Sequence, residues 1–214
     1  ENYTIDNLKG KKSCKKDLQK TFNLPQSPDI PVIGMISRLS SQKGWDIWEE
    51  AADDLIKMDV QFAILGTGDE KYHHIVKNLS DKYPDKISAM ITFDDTLAHK
   101  IEAGADMFLM PSRYEPCGLN QMISLRYCTI PIVRATGGLD DVIKDYDSKN
   151  RTGNGFKFKD YSSKELIGSI KKALKIYKNR VEWDNIIKDG LKYNYSWDKS
   201  AIEYDSLYRQ LLLK

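Results

Sequence analysis

Short apolar runs alternate along the chain with segments whose apolar residues recur every three or four positions. Residues 31–37 form the first run, mostly apolar and read as a buried strand. In residues 44–58, Trp45, Trp48, Ala52 and Leu55 fall at helical spacing. Residues 60–65 read as the next strand, ended by Gly66-Thr67-Gly68, and 69–83 as the following helix. The alternation continues with a strand at 87–92 and a short helix at 95–103. Then come a strand at 106–110 stopped by Pro111, a helix at 118–127, a strand at 130–133 and a short strand at 155–158. Residues 162–178 place Leu166, Ile170, Ala173 and Tyr177 on one helical face, and two more helical segments follow near 180–190 and 198–213. At the other end, 1–10 reads as irregular and 11–23 as helical, before Pro25, Pro28 and Pro31 force an extended stretch. Strands and helices alternate roughly every 20–30 residues. That pattern implies right-handed βαβ units and a mostly parallel sheet covered on both faces. The expectation is a Rossmann-like, doubly wound α/β domain occupying 1–214 as one unit, with no internal repeat or linker.

Composition narrows the function classes. The 214 residues are 41% hydrophobic and 30% charged, globular values that rule out disorder as the main state. With 33 Lys+Arg against 31 Asp+Glu, the net charge of +2 gives no general pull toward nucleic acid or membrane. No apolar run approaches the roughly 18–20 residues that span a bilayer, and no charged-then-apolar leader opens the chain. The first residue is Glu1 rather than Met, which reads as a cut inside a longer chain. Three cysteines, Cys14, Cys117 and Cys128, lack CxxC spacing, so a reducing cytoplasm suits them better than a disulfide framework. His73 and His74 are adjacent and would project about 100° apart on a helix, so no shared metal is expected. The basic stretch 144–180, with 11 basic and 4 acidic residues, reads as solvated helix faces in preference to a polyanion-binding surface.

Open parallel sheets bind ligands beyond the carboxyl ends of their strands, and the unusual residues collect there. After the first strand, Arg38 and Lys43 lie in a Ser/Gly loop that opens a helix, a natural anion site suited to a diphosphate. Gly66-Thr67-Gly68 follows the second strand; it lacks the third glycine of a dinucleotide fingerprint and reads as a tight turn whose backbone approaches a ligand. Phe93 follows the third strand beside Asp94 and Asp95, where an aromatic ring stacks on a base or packs on the rim. His99, on the next helix, reads as structural. The loop after the fourth strand is the densest: Glu115, Pro116, Cys117, Gly118, Leu119 and Asn120 lead into a helix. Pro116 restricts the backbone of Glu115, and the N–H groups of Gly118, Leu119 and Asn120 would point at phosphate oxygens. An ionised Glu115 is an acceptor for sugar hydroxyls, or else a salt-bridge partner of Arg113 or Arg126. Cys117 has no histidine near it in sequence to make it a nucleophile. Thr136-Gly137-Gly138-Leu139 is a second glycine-rich helix entry, holding phosphate or turning the chain.

Arg38-x4-Lys43-Gly44, Gly66-Thr67-Gly68, the run from Pro111 to Leu119 and Thr136-Gly137-Gly138-Leu139, in that order, resemble the C-terminal domain of bacterial glycogen synthase and plant starch synthase. The stretches 3–20 and 103–106 are similar too, and the likeness extends over essentially the whole chain. The Glu-Pro-Cys-Gly-Leu run is specific to that group; related retaining transferases usually carry Phe in place of Cys117. The resemblance implies the GT-B fold, two Rossmann-like domains facing across a cleft, with this chain as the C-terminal half and the N-terminal acceptor domain absent. It implies transfer of glucose from ADP-glucose to the non-reducing end of an α-1,4-glucan with retention, no metal, and a cytoplasmic or plastid location. Under it, Arg38 and Lys43 bind the donor diphosphate and Glu115 contacts the transferred glucose. Leu119 and Asn120 offer N–H groups to the distal phosphate, Phe93 stacks on adenine, and Thr136 to Leu139 flank the sugar and phosphate. Many such transferases have a second Glu at the position of Ile123, which leaves the ribose contact open. The final helix, ending near Leu213, resembles one that packs back across the domain junction, and the chain alone is expected to be inactive. Two alternatives stay open: a related transferase using a UDP-sugar, and a non-catalytic glucan or protein interaction module.

Overall fold

The structure is a computed structural model describing residues 2–4 and 7–212; Glu1 and Leu213, which figure in the sequence expectations, lie outside the described residues. Six strands form one parallel sheet: β1 (Val32–Ile36), β2 (Gln61–Leu65), β3 (Ile87–Met90), β4 (Met107–Met110), β5 (Ile130–Arg134) and β6 (Phe156–Phe158). Their order is β3-β2-β1-β4-β5-β6, with Ile33 opposite Phe62 on one side of β1 and opposite Met107 on the other. The order reverses between β1 and β4, and that is where an open α/β sheet forms its crevice.

The helices are α1 (Lys9–Thr21), α2 (Trp45–Leu55), α3 (Glu70–Lys82), α4 (Asp95–Gly104), α5 (Asn120–Arg126), α6 (Gly137–Val142), α7 (Ser163–Tyr177), α8 (Arg180–Leu191) and α9 (Trp197–Leu212). Successive strand residues point to opposite faces. Ile33, Met35, Phe62, Ile64, Ile130 and Ile132 face one layer, where Trp45 and Trp48 of α2 pack with Ile170 of α7 and Trp183 of α8. Val32, Ala63, Leu65 and Phe108 face the other, against Leu18 and Phe22 from α1 and Ile101 from α4. Leu125, Val133, Leu139 and Ile143 extend that second layer beneath α5 and α6. The predicted face of α7 is buried at all four positions.

The amino edge of the sheet is locked by internal charge. Lys15 is buried against Asp106 at 2.8 Å, and Asp106 also accepts from the Tyr177 hydroxyl and the Val32 N–H. The Lys11 ammonium donates to the carbonyls of Ala103, Ala105 and Tyr127, which caps the ends of α4 and α5 together. Burial lowers its pKa to about 8.

Helix boundaries differ from expectation where glycine decides them. Gly44 has φ +85° and Gly118 φ +73°, outside helical space, so α2 starts at Trp45 and α5 at Asn120. The glycine-rich helix entry read at 136–139 does open a helix, the two-turn α6. Among the described residues no helix is long and apolar enough to cross a membrane.

Candidate functional site

A cavity of about 340 Å³ opens at the carboxyl edge, over the reversal between β1 and β4. Its walls come from the ends of β1, β2 and β4, from the loop after β3 and from the start of α5. Eight of the residues singled out by sequence line it: Arg38, Lys43, Gly66, Phe93, Glu115, Gly118, Leu119 and Asn120.

The centre is an ion pair. Lys43 Nζ donates to Glu115 Oε2 at 2.5 Å, and the Ser112 hydroxyl donates to the same oxygen at 3.2 Å. Glu115 is therefore paired across 72 residues of sequence, not with Arg113 or Arg126, the salt-bridge partners considered from sequence. Lys43 closes a 3-10 turn (Ser41–Lys43) held by the left-handed Gly44, which sets its side chain over the end of β4. Arg38 is exposed and donates to Gln42 Oε1 at 3.0 Å; among the described residues it has no carboxylate partner. The N–H groups of Gly118, Leu119 and Asn120 have no hydrogen-bond acceptor among the described residues. Asn120 anchors the helix start by donating its side-chain amide to the Ile36 carbonyl at 3.2 Å. Phe93 is 89% exposed at the rim, held out by Asp94, whose carboxylate caps α4 at the Leu97 N–H.

Two glycine segments make room for neighbouring backbone. A Cβ on Gly66 would lie 1.9 Å from the Ser37 carbonyl oxygen, and one on Gly68 2.4 Å from that of Leu39. They are small because the loop after β1 crosses them, bridging Leu39 to Gly68. Gly68 stands outside the cavity lining, and its N–H is held by His73 Nε2 at 2.8 Å, which places the ring proton on Nδ1. Thr136, Gly137 and Gly138 also stand outside the lining, as does the exposed Cys117. Gly138 donates to the Glu115 carbonyl at 3.1 Å, so this turn clamps the Glu115 loop from behind.

His99 pairs with the buried Glu102 at 2.9 Å and takes no part in the cavity. Burial raises the Glu102 carboxyl above its ordinary range, against the His99 hydrogen bond. In the basic stretch, Lys157 pairs with Asp140 and Lys172 with Asp145, while Phe156, Phe158 and Tyr177 are core residues. Ser112 and the cluster around Asp46 and Tyr161 gave no sequence signal, because their partners lie tens of residues away.

Comparison with known proteins fits this geometry. The family described as glycosyl transferases group 1 matches residues 18–189. The chain belongs to that family. It is 51% identical, over its whole length, to glycogen synthases of Pseudothermotoga lettingae and Thermosipho africanus, and covers 44% of each. The chain thus spans less than half the length of these curated relatives. Among solved structures, the catalytic domain of starch synthase IV from Arabidopsis thaliana, bound to ADP and acarbose, superposes with a TM-score of 0.89 at 30% identity. That match covers the whole of this chain and 45% of the other. Sucrose-phosphate synthase from Thermosynechococcus elongatus shares the fold at a TM-score of 0.69 and 21% identity. This glycosyl transferase domain therefore has the Rossmann-like doubly wound fold expected from its alternating pattern, within the GT-B architecture that the family resemblance implied.

Proposed function

We propose that this chain is the donor-binding domain of a glycogen or starch synthase, taking glucose from ADP-glucose to the non-reducing end of an α-1,4-glucan with retention. The observation that carries the reading is the meeting of Lys43, Arg38 and Glu115 over the β1–β4 reversal, beside N–H groups at the start of α5 that have no acceptor among the described residues. Arg38 and Lys43 would hold the diphosphate and neutralise the charge that grows as the nucleotide leaves, an electrostatic contribution that needs no proton transfer. The Leu119 and Asn120 N–H groups would take the distal phosphate oxygens, and Glu115 would accept from the sugar hydroxyls. Phe93, exposed at the mouth, would stack on the base. Thr136, Gly137 and Gly138 would hold the Glu115 loop at the sugar. The two cations supply the positive charge, so the reading includes no metal.

The acceptor glucan and the opposite wall of the cleft belong, in this reading, to an N-terminal domain supplied by the rest of the protein. The starch synthase neighbour with bound ADP and acarbose supports both ligand classes. The setting is a reducing cytoplasm, where Cys117 and Cys128 remain thiols.

Calorimetric titration of the chain with ADP and with UDP tests the donor. ADP is expected to bind, and Lys43→Ala to weaken it by about 2–5 kcal/mol, the usual cost of truncating one partner of a desolvated charge contact. Equal ADP affinity in wild type and variant removes Lys43 from the diphosphate site. Preference for UDP transfers the reading to a UDP-sugar enzyme.

A further inference from the structure

Lys43 and Glu115 stand on separate loops, and their own side chains are too flexible to fix the distance between those loops. The fixing contacts lie on the side away from the cavity. Asp46, in the first turn of α2, accepts from the Arg113 guanidinium at 2.7 Å and from the Tyr161 hydroxyl. The same hydroxyl lies 3.0 Å from the Ser41 carbonyl. The Arg113 guanidinium stacks on the Tyr161 ring at 4.2 Å, and its backbone N–H donates to the Gln42 carbonyl at 2.8 Å. Arg134, at the end of β5, donates to the Arg113 carbonyl at 2.6 Å and to the Lys159 carbonyl at 3.1 Å. Each contact reaches the backbone within two residues of Lys43 or Glu115, or holds a group that does.

We propose that Asp46, Arg113, Tyr161 and Arg134 form a brace that sets the separation of Lys43 and Glu115, as positioning residues for the donor's diphosphate and sugar. The inference rests on the donor-binding reading above. The brace also sorts the cations of the site. Arg113 sits two residues from Glu115, yet its charge is spent on Asp46, so the cations that face the cavity are Arg38, with no carboxylate partner among the described residues, and Lys43, paired with Glu115. Burial and the Asp46 carboxylate hold the Tyr161 hydroxyl protonated far above neutral pH, so it remains a donor. The Arg113 side chain is 53% exposed, and contacts so open to water add little to stability. Placement of the site is far more sensitive: a misplacement near 1 Å costs up to about 10²-fold in reaction rate, and the same loss of fit weakens binding. A brace and a merely structural cluster therefore predict different ratios of binding loss to stability loss.

The test is Tyr161→Phe, which removes the hydroxyl and keeps the ring beneath both guanidinium groups. Asp46→Asn, which removes only the charge, is made in parallel in case the first variant folds poorly. ADP titration is expected to show roughly tenfold weaker binding in each. The urea midpoint should hardly move, and the amide NMR shifts of Gln42, Lys43, Ser112 and Glu115 should change together. Wild-type ADP affinity in both variants, with shift changes confined to the neighbours of the substituted residue, overturns the brace. If wild type itself binds no ADP, the donor reading fails instead, and the amide shifts at Lys43 and Glu115 alone decide the brace.

Discussion

Lys43 is paired with Glu115, and under the donor-binding reading proposed above this pairing bears on the order of binding. A diphosphate arriving at Lys43 must compete with a carboxylate 2.5 Å away whose side chain is only 10% exposed. In the donor-binding reading proposed above, a phosphate that wins Lys43 would release Glu115 to accept from sugar hydroxyls, and one ion pair would couple donor binding to sugar orientation. Glu115→Gln removes the competing charge and keeps the shape of the side chain. ADP, which carries the diphosphate but no sugar, is expected to bind this variant at least as tightly as wild type. ADP-glucose should gain nothing, because the carboxylate acceptor is gone. Isothermal titration with both ligands checks the pair of outcomes, and weaker ADP binding would show that Glu115 helps to hold the diphosphate. None of this pairing could be read from sequence. The residue types were legible in their loops, but a contact across 72 residues depends on the strand order that brings β1 and β4 side by side.

The secondary-structure elements were more legible than their contacts, for a physical reason. Strands covered on both faces must be apolar nearly throughout, so 32–36 and 61–65 stand out whatever the tertiary detail. The entry to α6 was legible in Thr136-Gly137-Gly138, but its glycines are there for a neighbouring backbone, which sequence does not show. A Cβ at Gly138 would stand 1.9 Å from the Cys117 carbonyl oxygen, and backbone cannot step aside as a flexible side chain can. Gly138→Ala is therefore expected to cost about 1–3 kcal/mol by overpacking and to push the Glu115 loop outward. Gly168 is the control, since it lies within α7 with no atom within 4 Å of a built Cβ. Gly168→Ala should stabilise by about 0.5–1 kcal/mol through helix propensity alone. Urea unfolding of the two variants should move in opposite directions. If Gly138→Ala is neutral, the clamp on the Glu115 loop is looser than the geometry indicates.

At the scale of the whole molecule, the core is closed on both faces of the sheet, yet α9 shares none of it. None of its 16 residues is buried. Trp197, Tyr204, Tyr208 and Leu211 form an exposed apolar stripe at helical spacing, with Trp197 87% exposed. The helix draws local support from the Arg209–Asp205 and Lys199–Glu203 pairs at i,i+4. A stripe of this kind on a chain that covers 44% of its curated relatives suits contact with the remainder of the protein, the partner proposed above for the cleft. Removing residues 196–214 should therefore leave the thermal midpoint within about 2–4 °C of the intact chain, the shift that roughly 1 kcal/mol produces at this size. It should also lower self-association at high concentration, because the exposed apolar area goes with it. Scanning calorimetry and sedimentation velocity read the two effects separately. A fall of more than about 10 °C would require α9 to contribute several kcal/mol by packing on this domain. Its apolar side chains would then be spent internally, and the stripe could not serve as a docking face.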